Sequence, residues 1–117
     1  MPTNSQALAF WQGALASLVR DDAADLTVRQ LAILATIYTT DAPSTVRSLS
    51  ALLDLAKPVV TRAIDTLEKY DLCRRQPDES DGRSVIIQRT VRGSVYTAAL
   101  GDEVKKSLFD VCWTAEG

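Results

Sequence analysis

Lys57, Pro58, Thr61 and Arg62 fall on one side of a segment whose other side is the apolar stripe Val60, Ala63, Ile64 and Leu67. At that spacing the polar set shares one face of a helix. Lys57 and Arg62 are long enough to reach phosphate oxygens or a guanine edge, and Thr61 can donate to phosphate or touch a thymine methyl. Catalytic chemistry is poorly supplied by comparison. The 117 residues contain no histidine, and the two cysteines, Cys73 and Cys112, lack CxxC spacing. That combination excludes the usual zinc sites and the Ser-His and Cys-His pairs of nucleophilic enzymes. Carboxylates are plentiful, but no two can be assigned to one cleft, so glycosidase-like or metal-dependent chemistry has no positive support. No enzyme activity, metal or other cofactor is expected. Each lone cysteine reads as a small hydrophobe, with a redox thiol as the alternative.

The rest of the chain must position that helix face. Its length suits one domain with a real core, and 46% apolar with 24% charged residues is the balance of a folded protein. Apolar runs are short and broken by charge, far below the roughly 20 residues a membrane span needs, and Met1 to Gln6 lack the basic start of a secretory signal. These features point to the cytoplasm. The net charge of −2 and the pI near 5.0 run against binding a polyanion. The distribution is less unfavourable: residues 57–92 hold eight basic and six acidic side chains, a local +2 that leaves −4 for the remainder.

Periodicity divides the chain into helices and one hairpin. Residues 4–20 put Ala7, Leu8, Trp11, Ala14, Leu15 and Leu18 at helical spacing, and Phe10 and Val19 widen the apolar face enough for packing both inward and on a partner. Thr27 and Gln30 form a capping box, with Leu26 and Leu31 where a hydrophobic staple would sit, so a second helix runs over about 28–39. After the breakers Asp41, Pro43 and Ser44, Thr45 caps a short third helix carrying Val46, Leu49, Leu52 and Leu53 inward. Pro58 suits the first turn of a fourth helix, about 57–70. A strand from Leu72 to Gln76, a polar loop over 77–82 and a strand over 84–89 then read as a β-hairpin. Thr90 caps a last helix, 91–113, on which Tyr96, Leu100, Val104, Leu108 and Val111 make one apolar stripe.

Two short helices joined by a tight turn and followed at once by a hairpin are the parts of a winged helix-turn-helix, whose second helix enters the major groove of DNA. The fold class expected is therefore mainly α with a small β-hairpin, about five helices plus a wing, in a single domain over 1–117. Within it, residues 26–92 form the DNA-binding lobe. Arg47 and Ser44, near the start of the third helix, are further candidates for touching phosphate.

These residues resemble the MarR (multiple-antibiotic-resistance regulator) family of bacterial winged-helix regulators over about 26–93. The resemblance lies in Leu26, Thr27 and Gln30; in the run from Val60 to Glu68; in the wing from Arg75 through Pro77, Asp78, Asp81, Gly82 and Arg83 to Ser84; and in Thr90, Val91, Arg92, Gly93. It implies a homodimeric transcriptional regulator, most often a repressor, reading a pseudo-palindromic operator in double-stranded DNA. The fourth helix would lie in the major groove and the wing, 77–84, in the minor groove. On that pattern Arg83 would be the minor-groove arginine, Ser84 would lie beside it in the interface, and Asp81 would hold the wing in shape. A narrow A·T-rich groove attracts an inserted guanidinium on physical grounds alone. Arg62 and Arg75 would anchor phosphates; Arg74 and Arg75 alternate across a strand, so one of them faces DNA, and Arg75 is the choice.

Dimerisation would use the helices 4–20 and 91–113, through Leu8, Trp11, Leu15, Leu18, Leu100, Val104, Leu108 and Trp113. Trp11, Trp113, Tyr96 and Phe109 serve that dimer core or, as the alternative, line a pocket for a small-molecule effector. The sequence departs from the family where Asp71 replaces a helix-ending glycine, where Ser50 replaces an alanine, where Ala56 lacks the usual capping hydroxyl, and in the short tail that follows the fifth helix. The low net charge, Ala56 and that tail suit a rival reading, a winged-helix module that binds protein as an adaptor or anti-regulator.

Overall fold

The computed structural model describes residues 1–20 and 24–114, and within them every side chain except those of Arg83, Trp113 and Thr114. The elements run α1 (Asn4–Val19), α2 (Val28–Thr39), α3 (Val46–Leu53), α4 (Lys57–Lys69), β1 (Cys73–Asp78), β2 (Asp81–Arg89) and α5 (Val91–Phe109), with a π-helical turn over Asp110–Thr114. They form two compact units, Leu26–Thr97 on the one hand and Met1–Asp25 with Ala98–Gly117 on the other. This is the winged helix-turn-helix architecture expected, five helices with a wing.

Local chemistry accounts for the boundaries. Thr27 accepts from the Gln30 backbone at 3.2 Å while the Gln30 side chain accepts from the Thr27 backbone at 2.9 Å, so two orphan donors of α2 are satisfied reciprocally. The same T-x-x-Q pattern, unremarked in the sequence, starts α1 at Thr3 and Gln6. Thr45 caps α3 together with Ser48. Two non-glycine residues take left-handed φ: Asp54, ending α3 at φ 53°, and Asp71, after α4 at φ 58°. Aspartate is among the few residues that visit this region readily. Asp71 therefore makes the turn that a glycine makes in the family pattern.

The unit Leu26–Thr97 closes over its own core. Ile33, Leu34 and Ile37 of α2, Leu49 of α3, Val60, Ile64 and Leu67 of α4, with Leu72, Cys73 and Ile87 from the hairpin, are all at most 3% exposed. Leu52, expected inward on α3, is instead 66% exposed, because α3 spans only two turns and its buried stripe centres on Leu49. β1 and β2 pair antiparallel from Cys73–Arg89 to Pro77–Val85, with a register shift between Pro77 and Asp78. Their strands extend into the stretch expected as loop, leaving Glu79 and Ser80 between them. The carboxylate of Asp78 closes the turn by accepting from the Ser80 backbone at 3.0 Å and its hydroxyl at 2.7 Å.

A polar knot binds α2 to the start of α5. The Tyr38 hydroxyl donates to the Leu72 carbonyl at 2.6 Å and accepts from the Thr90 N–H at 3.1 Å. Thr90 donates its own hydroxyl to the Asp71 carbonyl at 2.6 Å and accepts the Gly93 N–H at 2.9 Å, the cap expected for the last helix. Gly93 is needed here for space: a Cβ at that position would overlap the Tyr38 hydroxyl and the Leu72 carbonyl.

In the other unit, α1 and the later part of α5 approach closely. The Ser107 hydroxyl donates to the Phe10 carbonyl at 2.8 Å, and a Cβ on Gly13 would collide with Ser107. The last helix was expected to run unbroken to 113; α-helical geometry instead stops at Phe109, and the chain continues as a π turn.

Candidate nucleic-acid interface

The helix α4 divides as its sequence implies. Val60, Ala63, Ile64 and Leu67 are buried, while Lys57, Pro58, Thr61, Arg62 and Asp65 are exposed. Its start has no side-chain cap, because Ala56 offers no hydroxyl, and Pro58 occupies the second helical position, where the missing N–H costs nothing. Lys57 and Pro58 thus open the helix, and Thr61 and Arg62 follow on its second turn; Pro58 has no N–H, and those of Val59 and Val60 bond the Ala56 carbonyl. Among the described residues neither Lys57 nor Arg62 has an ion-pair partner. Arg47 is exposed on the first turn of α3.

Two expected phosphate ligands are placed differently. Ser44 is 4% exposed and pairs with Ile87 as an isolated antiparallel bridge, its carbonyl accepting the Ile87 N–H at 2.7 Å. The segment between α2 and α3 thus adds a third rung to the hairpin and takes Ser44 off the surface. Arg75 turns onto α4. Its guanidinium reaches Asp65 at 2.8 Å, also bonds Glu68, and donates to the Thr61 carbonyl at 3.3 Å. Burial pulls this guanidinium down, but the Asp65 hydrogen bond and the Glu68 charge outweigh it and leave its pKa raised. Arg74, the neighbour on the opposite face of the strand, is the exposed one.

The wing residues lie in β2. The Ser84 hydroxyl donates to Asp81 at 2.9 Å, a bond that pins the strand to the turn. The Asp78 carboxyl is held below its usual range by the hydroxyl and then the backbone of Ser80. Arg83 lies in β2, and its side chain, with the minor-groove role expected of it, is outside the described residues.

Cys73 is buried, and desolvation first, then the nearby Glu68 charge, push its thiol up to about 12 against a smaller opposing effect of Arg75. A thiol so far from ionising is a poor nucleophile. Cys112 is exposed. Among the described residues no cluster of three His, Cys, Asp or Glu side chains could hold a metal ion, and no helix is long and apolar enough to cross a membrane.

The family model for MarR matches residues 26–85, from the start of α2 into the second wing strand. The chain belongs to the MarR family. Solved structures similar to this MarR chain include a MarR family protein from Bacillus stearothermophilus, with TM-score 0.76 and 22% identity over 92% of this chain and 71% of that one. The transcriptional regulator Tm0710 from Thermotoga maritima gives TM-score 0.70 and 23% identity over 92% and 70%. Reduced AbfR bound to DNA gives 0.63 and 25% over 87% and 70%, AbfR being a protein of Staphylococcus epidermidis. No curated protein matches the sequence.

Of the residues expected to dimerise, Leu8, Trp11 and Leu108 are exposed at 67%, 52% and 48%, and Leu15, Leu18, Leu100 and Val104 are half-buried. The Trp113 side chain is outside the described residues. Leu8, Trp11, Leu15 and Val19 line a shallow apolar groove along α1. Of the aromatic residues considered for an effector pocket, Phe109 is exposed and Tyr96 half-buried. One residue with a structural part was missed: Arg89 donates to the carbonyls of Ile37 at 3.0 Å and Thr40 at 2.8 Å and lies 5.5 Å over the Tyr38 ring, closing the C-terminus of α2. A cation 50 residues downstream of a helix end carries no local signal of this kind.

Proposed function

We propose that this MarR-family chain is a sequence-specific double-stranded DNA-binding regulator, acting as a dimeric repressor, with α4 in the major groove and the wing in the minor groove. The observation that carries the reading is the exposed face of the first two turns of α4, where Lys57, Thr61 and Arg62 stand together and both cations lack carboxylate partners among the described residues. An exposed helix face with free cations and a hydroxyl is equipped for both phosphate and base-edge contacts. That a fold relative, AbfR, has been solved bound to DNA supports DNA as the partner. Arg83 is assigned to the minor groove and Arg47 to flanking phosphate. The uncovered faces of α1 and α5 are assigned to the partner subunit.

Selection of the preferred sequence from random DNA, followed by anisotropy titration, tests this. Arg62→Ala is expected to lose about 1–3 kcal/mol of specific binding, and Arg83→Ala to weaken binding most where the flanks are A·T-rich. Unchanged affinity in both variants would overturn the assignment. The acidic total favours the second reading, a protein-binding module. Failure to enrich any sequence, with retention of a protein partner in a pull-down, would decide for it.

A further inference from the structure

We infer that Arg75 is a positioning residue that fixes the wing to the recognition helix, and that it does not serve as a phosphate ligand. The inference rests on the DNA-binding reading above. Thr61, Asp65 and Glu68 succeed one another at helical spacing along one face of α4, and Arg75 of β1 engages all three. Glu68 is held twice, by the guanidinium and by the Arg75 backbone N–H at 3.2 Å. The second guanidinium nitrogen divides between the Asp65 carboxylate at 2.8 Å and the Thr61 carbonyl at 3.3 Å. A planar fork suits this set of acceptors, and a lysine ammonium cannot reproduce it.

Two consequences follow for DNA. A two-stranded ribbon is marginal alone, so its direction relative to α4 depends on ties at its base. Arg75 supplies such a tie along the face of α4 that carries Thr61, Asp65 and Glu68. It also lies against the two acidic side chains that α4 places past its N-terminal turns, where unmasked carboxylates would oppose phosphate. An arginine held by two carboxylates is poorly placed to release counterions from DNA.

The test uses the full chain with its selected DNA and with scrambled DNA of equal length, for Arg75→Gln and Arg75→Lys. Affinity is measured across a salt series, and amide hydrogen exchange is measured without DNA. A positioning role predicts that both variants lose specific affinity on the order of tenfold, the scale of one specific contact. Affinity for scrambled DNA and the slope of log K against log salt should stay as in the wild type. Exchange should quicken in β1 and β2 but not in the core of α2. A phosphate role predicts instead that Arg75→Lys behaves as wild type, while Arg75→Gln loses affinity equally on both DNAs and lowers the salt slope by about 0.9; that result overturns the inference. If Arg75→Gln fails to fold, Glu68→Gln, which keeps the shape and removes one charge, must reproduce the loss of specificity at unchanged salt slope. If the wild type prefers no sequence, the functional reading fails, and exchange decides the rest: wing amides as protected in Arg75→Lys as in the wild type would refute the tie.

Discussion

The unit Leu26–Thr97 and the unit built from the two chain ends use apolar residues in opposite ways. In the first, α2, α3, α4 and the hairpin each bury large aliphatic side chains, and those left exposed are Val28 on α2, Leu52 on α3, Val85 on β2, and Val91 with Val95 at the start of α5. In the second, Ala14 and Ala24 are the buried apolar residues among those described, while Leu8, Trp11, Val19, Leu108 and Phe109 stay exposed. Exposed single aliphatics are ordinary; Leu8, Trp11, Leu15 and Val19 instead line one apolar groove along a single helix. The lobe encloses the core it builds, whereas the terminal helices leave large apolar side chains exposed, the contrast on which the proposed dimer rests.

The largest effect that could break this contrast is in the lobe. Leu67 is fully buried near the end of α4, and its carbonyl accepts the Leu72 N–H at 2.9 Å just before the hairpin begins. Leu67→Ala should cost about 2–5 kcal/mol, read as a shift in the urea midpoint, and a loss below 1 kcal/mol would mean that the lobe does not enclose the core described. Trp11→Ala is the counterpart in the terminal unit. It should leave the denaturation of the lobe unchanged at high protein concentration but weaken self-association by about 2 kcal/mol, the scale of an interface hot spot and roughly thirtyfold in Kd. Sedimentation across a concentration series measures it, and a dimer of unaltered strength would remove α1 from the interface.

Gly93→Ala tests the polar knot inside the lobe. The added methyl group meets a tyrosine hydroxyl and a backbone carbonyl, of which only the first can swing away. A loss of about 1–3 kcal/mol is expected, partly recovered in the Tyr38→Phe background, where one of the two obstacles is gone. No recovery in the double variant would show that the Leu72 carbonyl alone sets the limit.

How far the sequence revealed this architecture depends on how local each determinant is. The starts of α2 and α3 are written within four residues, in Thr27 with Gln30 and Thr45 with Ser48, and the bounds 28–39 read for the second helix match α2. The face of α4 was equally legible, since period 3.6 separates Val60, Ile64 and Leu67 from Thr61 and Arg62. Arg75 was not. Strand alternation shows that Arg74 and Arg75 point to opposite faces, but which face meets α4 is decided by packing; the acidic pair Asp65 and Glu68 just upstream was the available signal. Ser44 became buried through a bridge to Ile87, more than 40 residues away, and a turn-former's composition says nothing about such a partner. Leu52 is the complementary case, where the periodic stripe on a two-turn helix is wider than its neighbours cover.

The smallest expected effect lies where the lobe departs from its family. Ala56 has the extended backbone of an N-cap, φ −63° and ψ 142°, yet no side-chain oxygen to accept from the first turn of α4. Its carbonyl already accepts from the N–H groups of Val59 and Val60 at 3.0 and 3.2 Å, so helix entry is set and only the cap is absent. Ala56→Ser should therefore stabilise the lobe by about 0.5–1 kcal/mol, visible as a small rise in the urea midpoint. Self-association through the terminal helices should be unaltered, because the change lies wholly inside the unit Leu26–Thr97. If the serine instead destabilises the lobe, the left-handed turn at Asp54 and the hydrogen bond from the Ser50 hydroxyl to the Leu55 carbonyl hold the α3–α4 connection too tightly to admit a capping rotamer.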